Sequence, residues 1–203
     1  MNQEIDITFV RHGRSRADDE GVHEGRYDSP LTDIGRAQAR MRGHDFLDRE
    51  VGFDLVISSS LQRARETAEI IAQMFDVSVI VDPDWMEMDN GPLAGMPHDV
   101  AAQRYPVPAH RNPYEAFHGT GESNWEIYSR AARALERVVR RGPGRYLVVA
   151  HGGILNDALR TITGAPPLAN GQGLAFQFGD TGYARCVYTP ARHLWTFVAF
   201  NPG

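Results

Sequence analysis

Two stretches of this sequence decide its fold: IDITFVRHG at residues 5–13 and YLVVAHGG at residues 146–153. Each begins with a short run rich in apolar and β-branched residues, and in each the run leads into a His-Gly pair. Such runs, bounded by charged or glycine-containing turns, predict β-strands. Nearly continuous apolar runs are typical of parallel strands that are buried on both faces. We therefore expect two buried parallel strands, each followed by a histidine.

The rest of the chain alternates between similar strands and helical patterns. Further strands are predicted at residues 54–58 and 77–81, with two or three more at 174–200 that form an antiparallel edge. Helices are predicted at residues 33–48, 60–74, 124–140 and 153–162. Thr32 is a good N-cap for the first helix, and Ser123 with Glu126 forms a capping box for the third. This alternation predicts an α/β fold, a three-layer α/β/α sandwich with a mostly parallel sheet.

Length and composition exclude several classes of protein. The chain has 203 residues, which suits one domain, and its formal charge of −5 argues against a general attraction to nucleic acids or anionic membranes. No apolar run approaches the roughly 20 residues that span a bilayer. The single cysteine, Cys186, excludes an intrachain disulfide. The acidic N-terminus does not resemble a signal peptide, so we expect a cytoplasmic protein.

Residues 91–122 interrupt the alternation of strands and helices. This stretch contains five prolines and three histidines. It has two interpretations that we weigh equally: a proline-stiffened surface connection, or a lid or specificity insertion over a pocket. Long connections in compact domains are often functional.

The histidines after the two decisive strands point to a common site. Ligands of open α/β sheets bind at the carboxyl ends of the strands, so His12 and His151 should lie at the same edge. Arg11 precedes the first histidine, and Arg63 falls in the first turn of the helix that follows the predicted strand at 54–58. The amides and dipole at a helix start attract anions. A guanidinium can bind a phosphate bidentately. Two histidines and two arginines therefore predict a phosphate site.

This set of side chains suits phosphoryl transfer. A neutral imidazole can attack phosphorus and form a phosphohistidine, while arginines stabilise the charge on the transferring group. The leaving alcohol needs a proton, which a carboxylic acid near the phosphate could donate. Asp84, Glu87 and Asp89 follow the third strand, and spacing alone does not separate them. No metal-binding motif is recognisable, and the chemistry requires no metal.

At this point the residues resemble the histidine phosphatase superfamily, branch 1, whose members are phosphoglycerate mutase-like. The resemblance rests on an ordered series of blocks: Arg11-His12-Gly13-Arg14-Ser15, Asp28–Gly35, Ser58–Ala64, Glu87 with Gly91 and Gly95, Gly121-Glu122-Ser123, and Ala150-His151-Gly152-Gly153. The blocks run from residue 5 to about 155, roughly three quarters of the chain. A lone Arg-His-Gly is a weak signal, whereas the ordered series is highly specific.

The resemblance implies a role for each matching position. His12 would be the nucleophile, and Glu87 would protonate the leaving group and then activate water. The phosphate pocket would be formed by Arg11, Arg63 and His151. Additional substrate contacts are predicted at Ser15, Asp18, Gly25, Arg26 and Gly152. The resemblance also implies an α/β/α sandwich with the site at the carboxyl ends of the strands.

Two positions depart from the family pattern. Asp18 stands six residues after the nucleophile, where the family often has asparagine, and Glu24 stands where it has glutamine before Gly25. Both changes are expected to add negative charge near the pocket mouth. Asp18 would repel a phosphate unless it is neutral, turned away or paired with Arg16 or Arg26.

The sequence therefore predicts a metal-independent phosphomonoesterase that acts on a small phosphorylated metabolite without a cofactor. The alternatives are mutase-type phosphoryl transfer, a phospho-ligand binding module with little turnover, and a metal-dependent hydrolase. The dedicated mutases carry a larger insertion and an Arg-x-Tyr-Gly pattern after the acidic residue, whereas Glu87 is followed here by Met-Asp-Asn-Gly. Besides the substrate, the only partner expected is a second copy in a homodimer, with no nucleic acid and no membrane.

Overall fold

The computed structural model describes residues 3–203, in which six strands form one sheet. The strands are β1 (Ile5–Arg11), β2 (Leu55–Ser58), β3 (Val79–Val81), β4 (Gly144–Ala150), β5 (Tyr183–Thr189) and β6 (Leu194–Asn201). Their order is β3-β2-β4-β1-β5-β6. The first four are parallel, while β5 and β6 add an antiparallel edge. The predicted α/β fold with a mostly parallel sheet is confirmed, including the antiparallel tail.

Six α-helices lie in the described part of the chain. They are α1 (Arg16–Glu20), α2 (Asp33–Asp48), α3 (Gln62–Phe75), α4 (His98–Arg104), α5 (Asn124–Val139) and α6 (Gly152–Thr163). The four predicted helices are present, with ends that differ by at most two residues. Their caps form as expected: Thr32 accepts a bond from the Gly35 amide at 3.0 Å, and Ser123 accepts one from Glu126 at 3.2 Å. The sequence analysis missed α1 and α4, which are short and lie in the 14–28 and 91–122 segments.

Alternate residues of β1 pack into two separate cores, which makes the sandwich three layers thick. Ile7 and Phe9 pack with apolar side chains of α5 and α6, whereas Val10 packs with those of α2 and α3. This division follows from the strand's period of two, which points successive side chains to opposite faces. All three side chains are fully buried. The central strands are therefore held from both faces, and their carboxyl ends form a rigid edge.

Residues 91–122 contain α4 and short turns, and they contact the 14–28 segment through the backbone. The His23 amide donates to the Met96 carbonyl at 2.9 Å, and the His98 amide donates to Gly21 at 3.1 Å. The 14–28 segment, which follows His12 in the chain, is therefore joined to residues 91–122 at one side of the sheet edge. Within residues 3–203, no helix is long and apolar enough to cross a membrane.

Candidate active site

The two predicted histidines meet at the carboxyl ends of β1 and β4, which are adjacent parallel strands. Arg11 lies opposite Ala150 in the strand register, so the residue that follows each comes out at the same edge. The rings of His12 and His151 have centroids 5.0 Å apart, and both side chains are fully buried. The sheet order therefore places two imidazoles side by side where the topology favours ligand binding.

The His12 ring has a fixed orientation. Its Nδ1 lies 2.8 Å from the carbonyl oxygen of Gly13, and because a carbonyl only accepts hydrogen bonds, Nδ1 carries the proton. In the neutral ring, Nε2 is then the atom with a free lone pair. Arg63 Nε donates to this Nε2 at 3.1 Å. The ring therefore presents Nε2 to the pocket with a cation beside it.

The Arg63 guanidinium is fully buried and held on all sides. Its Nη1 and Nη2 donate to the carbonyls of Tyr27 and Gly25, each at 2.8 Å. Burial lowers the pKa of this arginine from its ordinary value, and the charge of Glu24 opposes that shift. The first amide of α3, at Gln62, is already bonded to the Asp28 carboxylate at 2.7 Å. The anion attraction expected of this helix start thus rests on the Arg63 side chain.

His151 is the second imidazole of the pocket. Its Nε2 lies 2.8 Å from the hydroxyl of Ser59, which follows β2. Its Nδ1 is buried without a hydrogen-bond partner among residues 3–203. Burial, followed by the charges of Arg63 and His12, lowers the pKa of His151 well below its ordinary value. The ring is therefore neutral in the empty pocket, and an incoming anion would favour its protonated form.

The structure separates the three carboxylates that spacing left open. Glu87 Oε2 and Oε1 accept hydrogen bonds from the amides of Gly153 and Ile154 at 2.9 and 3.1 Å, in the first turn of α6. Asp84 instead pairs with Arg137 at 2.8 Å. The Asp89 carboxylate lies 3.4 Å from Arg26. Glu87 is thus the candidate that adjoins the helix beginning at His151.

A buried arginine on α5 supports the Glu87 segment. Arg130 donates to the carbonyls of Met86 and Glu87 at 2.6 and 3.2 Å, and it is bound by the Glu122 carboxylate at 2.6 Å. The sequence analysis missed this arginine among the several that α5 carries. The one available signal was its distance of eight residues, about two helical turns, from Glu122.

Glu24 lies deeper than the sequence predicted. Instead of standing at the pocket mouth, its carboxylate contacts His12 Nε2 at 3.5 Å and Arg63 Nε at 3.3 Å. Ser15 Oγ donates to the same carboxylate at 2.5 Å. Burial favours the neutral acid, but contact with His12 in its protonated form, the charge of Arg63 and the Ser15 hydroxyl together hold the pKa of Glu24 far below its ordinary value.

The remaining predicted residues surround this centre in different orientations. Asp18 is turned to the backbone, since it accepts a bond from the Ser15 amide at 2.7 Å at the start of α1. Arg26 lies 3.2 Å from Glu122. Arg11 donates to the Phe178 carbonyl at 3.0 Å and keeps part of its side chain exposed. The Asp18 carboxylate and the Arg26 guanidinium are therefore engaged by the protein.

A cavity of about 580 Å³ opens beside the start of α6. Its wall includes Gly152, Gly153, Asp157, Arg160 and Arg111. The last of these comes from the 91–122 insertion, and the sequence analysis did not single it out. Burial lowers the pKa of Arg111 from its ordinary value. The cavity therefore has room and polar groups beside Gly152, the residue that follows His151 in the chain.

The mostly parallel α/β sheet, with two histidines and two arginines at the carboxyl ends of its strands, has the architecture that the ordered motifs imply, and comparison with known families agrees. Residues 7–201 match the family model of the histidine phosphatase superfamily, branch 1. The chain belongs to this family and is a phosphatase-type enzyme of it. The resemblance drawn from the ordered motifs is confirmed.

The names of the relatives differ in the activity that they state. A putative phosphoserine phosphatase 2 from Hydrogenobacter thermophilus is 33% identical over 166 residues, covering 78% of each chain. A probable phosphoglycerate mutase from Cronobacter sakazakii is 33% identical and covers 81% of this chain and 78% of its own. A mycobacterial glucosyl-3-phosphoglycerate phosphatase, solved with VO3, has a TM-score of 0.80 at 22% identity over 98% of this chain and 99% of its own.

Proposed function

We propose that this protein is a metal-independent phosphomonoesterase that acts on a small phosphorylated metabolite through a phosphohistidine at His12. One observation carries the proposal: the Gly13 carbonyl fixes the proton on Nδ1 at 2.8 Å, so that Nε2 faces the pocket beside Arg63. An imidazole oriented in this way is a nucleophile whose lone pair is available without prior proton loss.

The reaction follows from this arrangement in two steps. The His12 Nε2 lone pair forms a bond to phosphorus while the ester P–O bond breaks, and Glu87 gives its proton to the departing alcohol oxygen. Water then attacks phosphorus, the P–N bond breaks, and the Glu87 carboxylate takes a proton from that water. Arg11, Arg63 and His151 stabilise the phosphoryl oxygens in both steps.

The leaving group would occupy the cavity beside Gly152. Its volume of about 580 Å³ and its lining by Arg111 and Arg160 suit a small polar group. The names of the relatives, which include phosphatases of phosphorylated small molecules, support the same class of substrate. In this proposal residues 91–122 act as a specificity insertion.

The test is release of phosphate from a panel of phosphomonoesters in the presence of a chelator. We expect release by the wild type and none by His12→Ala, with His44→Ala as control because that histidine is exposed on α2. Wild-type enzyme quenched during turnover should hold phosphate that is lost in acid and kept in base.

Two outcomes would contradict the proposal. Activity that disappears in chelator and returns with added metal would support a metal-dependent hydrolase. Conversion of 3-phosphoglycerate to 2-phosphoglycerate without free phosphate would support a mutase. The cytoplasmic location and the homodimer stay predictions.

A further inference from the structure

We propose that the Glu24 carboxylate competes with phosphate for the phosphoryl pocket. This carboxylate contacts the pocket donors when no phosphate is bound, and it limits how tightly inorganic phosphate is retained. This inference rests on the proposed function, because it assumes that His12 and Arg63 bind the phosphoryl group. It assigns to Glu24 a role in product release.

The contacts of Glu24 are those that a phosphate would need. Oε1 accepts from Ser15 Oγ at 2.5 Å and lies 3.3 Å from Arg63 Nε. Oε2 lies 3.5 Å from His12 Nε2, the atom to which phosphorus would bond. The carboxylate thus accepts a hydrogen bond from the Ser15 hydroxyl and lies within ion-pair distance of Arg63 and His12. In the empty pocket it stands in for two phosphoryl oxygens.

The carboxylate and a phosphoryl dianion cannot both keep these contacts. Ser15 has one hydroxyl proton, which Glu24 accepts, and Arg63 has one Nε proton, which His12 Nε2 accepts at 3.1 Å. Each of the other two nitrogens of that guanidinium uses one of its two protons on a backbone carbonyl. Two anions that share these donors also repel each other in a site shielded from water. Phosphate must therefore displace the Glu24 side chain or bind while it takes up a proton.

Both routes weaken the binding of phosphate, and the route with proton uptake weakens it further as the pH rises. The groups that face Glu24 are His12 from the end of β1, Ser15 from the start of α1 and Arg63 from α3. In the empty pocket these partners keep Glu24 ionised at neutral pH. A bound dianion acts in the opposite direction and favours the neutral acid. Where binding takes up a proton, affinity falls as the pH rises.

The experiment is calorimetric titration of inorganic phosphate into wild type, Glu24→Gln and Glu20→Gln at about pH 5.5 and about pH 8. At the higher pH we expect Glu24→Gln to bind phosphate about tenfold more tightly than wild type does. A tenfold change corresponds to a rise of about one unit in the pKa of Glu24 when phosphate binds. At the lower pH Glu24→Gln should lose most of this advantage over wild type. Glu20→Gln removes the same charge from the same segment, but that carboxylate binds Arg16 and Tyr27 instead, so its affinity should equal that of wild type. Glu24→Gln should also show stronger inhibition by product phosphate in turnover assays.

Equal or weaker phosphate binding by a folded Glu24→Gln, checked by circular dichroism, would overturn the inference. If that variant does not fold, Glu24→Asp takes its place: its shorter side chain withdraws the carboxylate from His12 and Arg63, so it should bind phosphate more tightly than wild type at about pH 8. Equal or weaker binding by Glu24→Asp then overturns the inference. If wild type and Glu24→Gln both turn over substrate and bind phosphate with equal affinity, only the role of Glu24 is refuted. Neither turnover nor phosphate binding by either protein refutes the proposed function as well.

Discussion

At the scale of single residues, the site depends on which atom of each side chain is already engaged. Gly13 holds Nδ1 of His12, so Nε2 is the nitrogen left to face the pocket. The Gly153 and Ile154 amides hold the Glu87 carboxylate, whereas Asp84 is held by Arg137. Residue types alone do not show which carboxylate is held by which partner. Asp84, Glu87 and Asp89 all lie within six residues and offer the same chemical group.

The first prediction concerns Glu87 as the proton donor. Glu87→Gln should reduce turnover of alkyl phosphates by about 10²- to 10⁴-fold, because an alkoxide leaving group needs a proton from a positioned acid. Turnover of p-nitrophenyl phosphate should fall much less, because its phenolate leaves without protonation. Initial rates with both substrates measure the difference.

Asp84→Asn is the matched control for Glu87→Gln. It removes a nearby carboxylate that contacts Arg137 on the outer side of α5, so both rates should stay close to those of wild type. Equal losses on both substrates in Glu87→Gln would contradict the acid role and indicate that Glu87 serves binding.

At the scale of elements, the start of α6 connects His151 with Glu87. His151 caps this helix, and the amides of its first turn bind Glu87. A Cβ at Gly153 would collide with Glu87 Oε1, so this position needs a glycine if the carboxylate is to stay in place. At Gly152, a Cβ would meet no atom within 4 Å. The two glycines after His151 thus have different tasks.

We predict that Gly153→Ala loses turnover by about tenfold or more with alkyl phosphates, because a displaced carboxylate no longer reaches the leaving oxygen. Gly152→Ala keeps its amide and meets no steric obstacle, so its loss should be distinctly smaller. Both substitutions also add an alanine to a helix start, which makes their melting temperatures comparable. Rates normalised to folded protein measure the effect, and equal losses at the two positions would refute this account of Gly153.

At the scale of the whole molecule, the strand order assembles the site from distant parts of the chain. Placing β4 between β1 and β2 brings His12, Ser59 and His151 to one edge of the sheet. The surrounding cores are apolar, but they also enclose ionisable groups. Burial raises the pKa of Asp157 to about 6, since it outweighs the opposing effect of Arg160, which binds this carboxyl at 2.9 Å.

This buried acid makes the free energy of unfolding depend on pH. An Asp whose pKa is higher in the folded state than in the unfolded chain holds more protons when folded, so stability is lost as the pH rises from about 4 to about 6. Asp157→Asn removes this loss. The free energy of unfolding of Asp157→Asn minus that of wild type should be larger at pH 8 than at pH 5, by about 1 kcal/mol or more.

Urea unfolding of both proteins at the two pH values measures this change. Asp33→Asn provides the control, because that side chain is fully exposed in the first turn of α2 and its removal should give no such pH-dependent gain. A constant difference between Asp157→Asn and wild type across this range would contradict the effect of burial.

Much of the fold could be predicted because its signals are local. The strand at 146–150, the helix at 33–48 and the Ser123–Glu126 cap each depend on neighbours within a few residues. The parallel sheet then followed from the alternation of elements. The short helices α1 and α4 escaped because five or seven residues contain too few turns for a helical period to show.

The sequence by itself determined the family, the parallel sheet and the meeting of His12, Arg63 and His151, because strand patterns and ordered motifs are properties of consecutive residues. Only the tertiary structure decided that Glu87 and not Asp84 adjoins α6, that Glu24 contacts His12 Nε2, and that Arg111 lines the neighbouring cavity. Each of these depends on where a side chain from one segment meets a backbone or charge from another. Such contacts depend on packing across the sheet edge and produce no periodic pattern in the sequence.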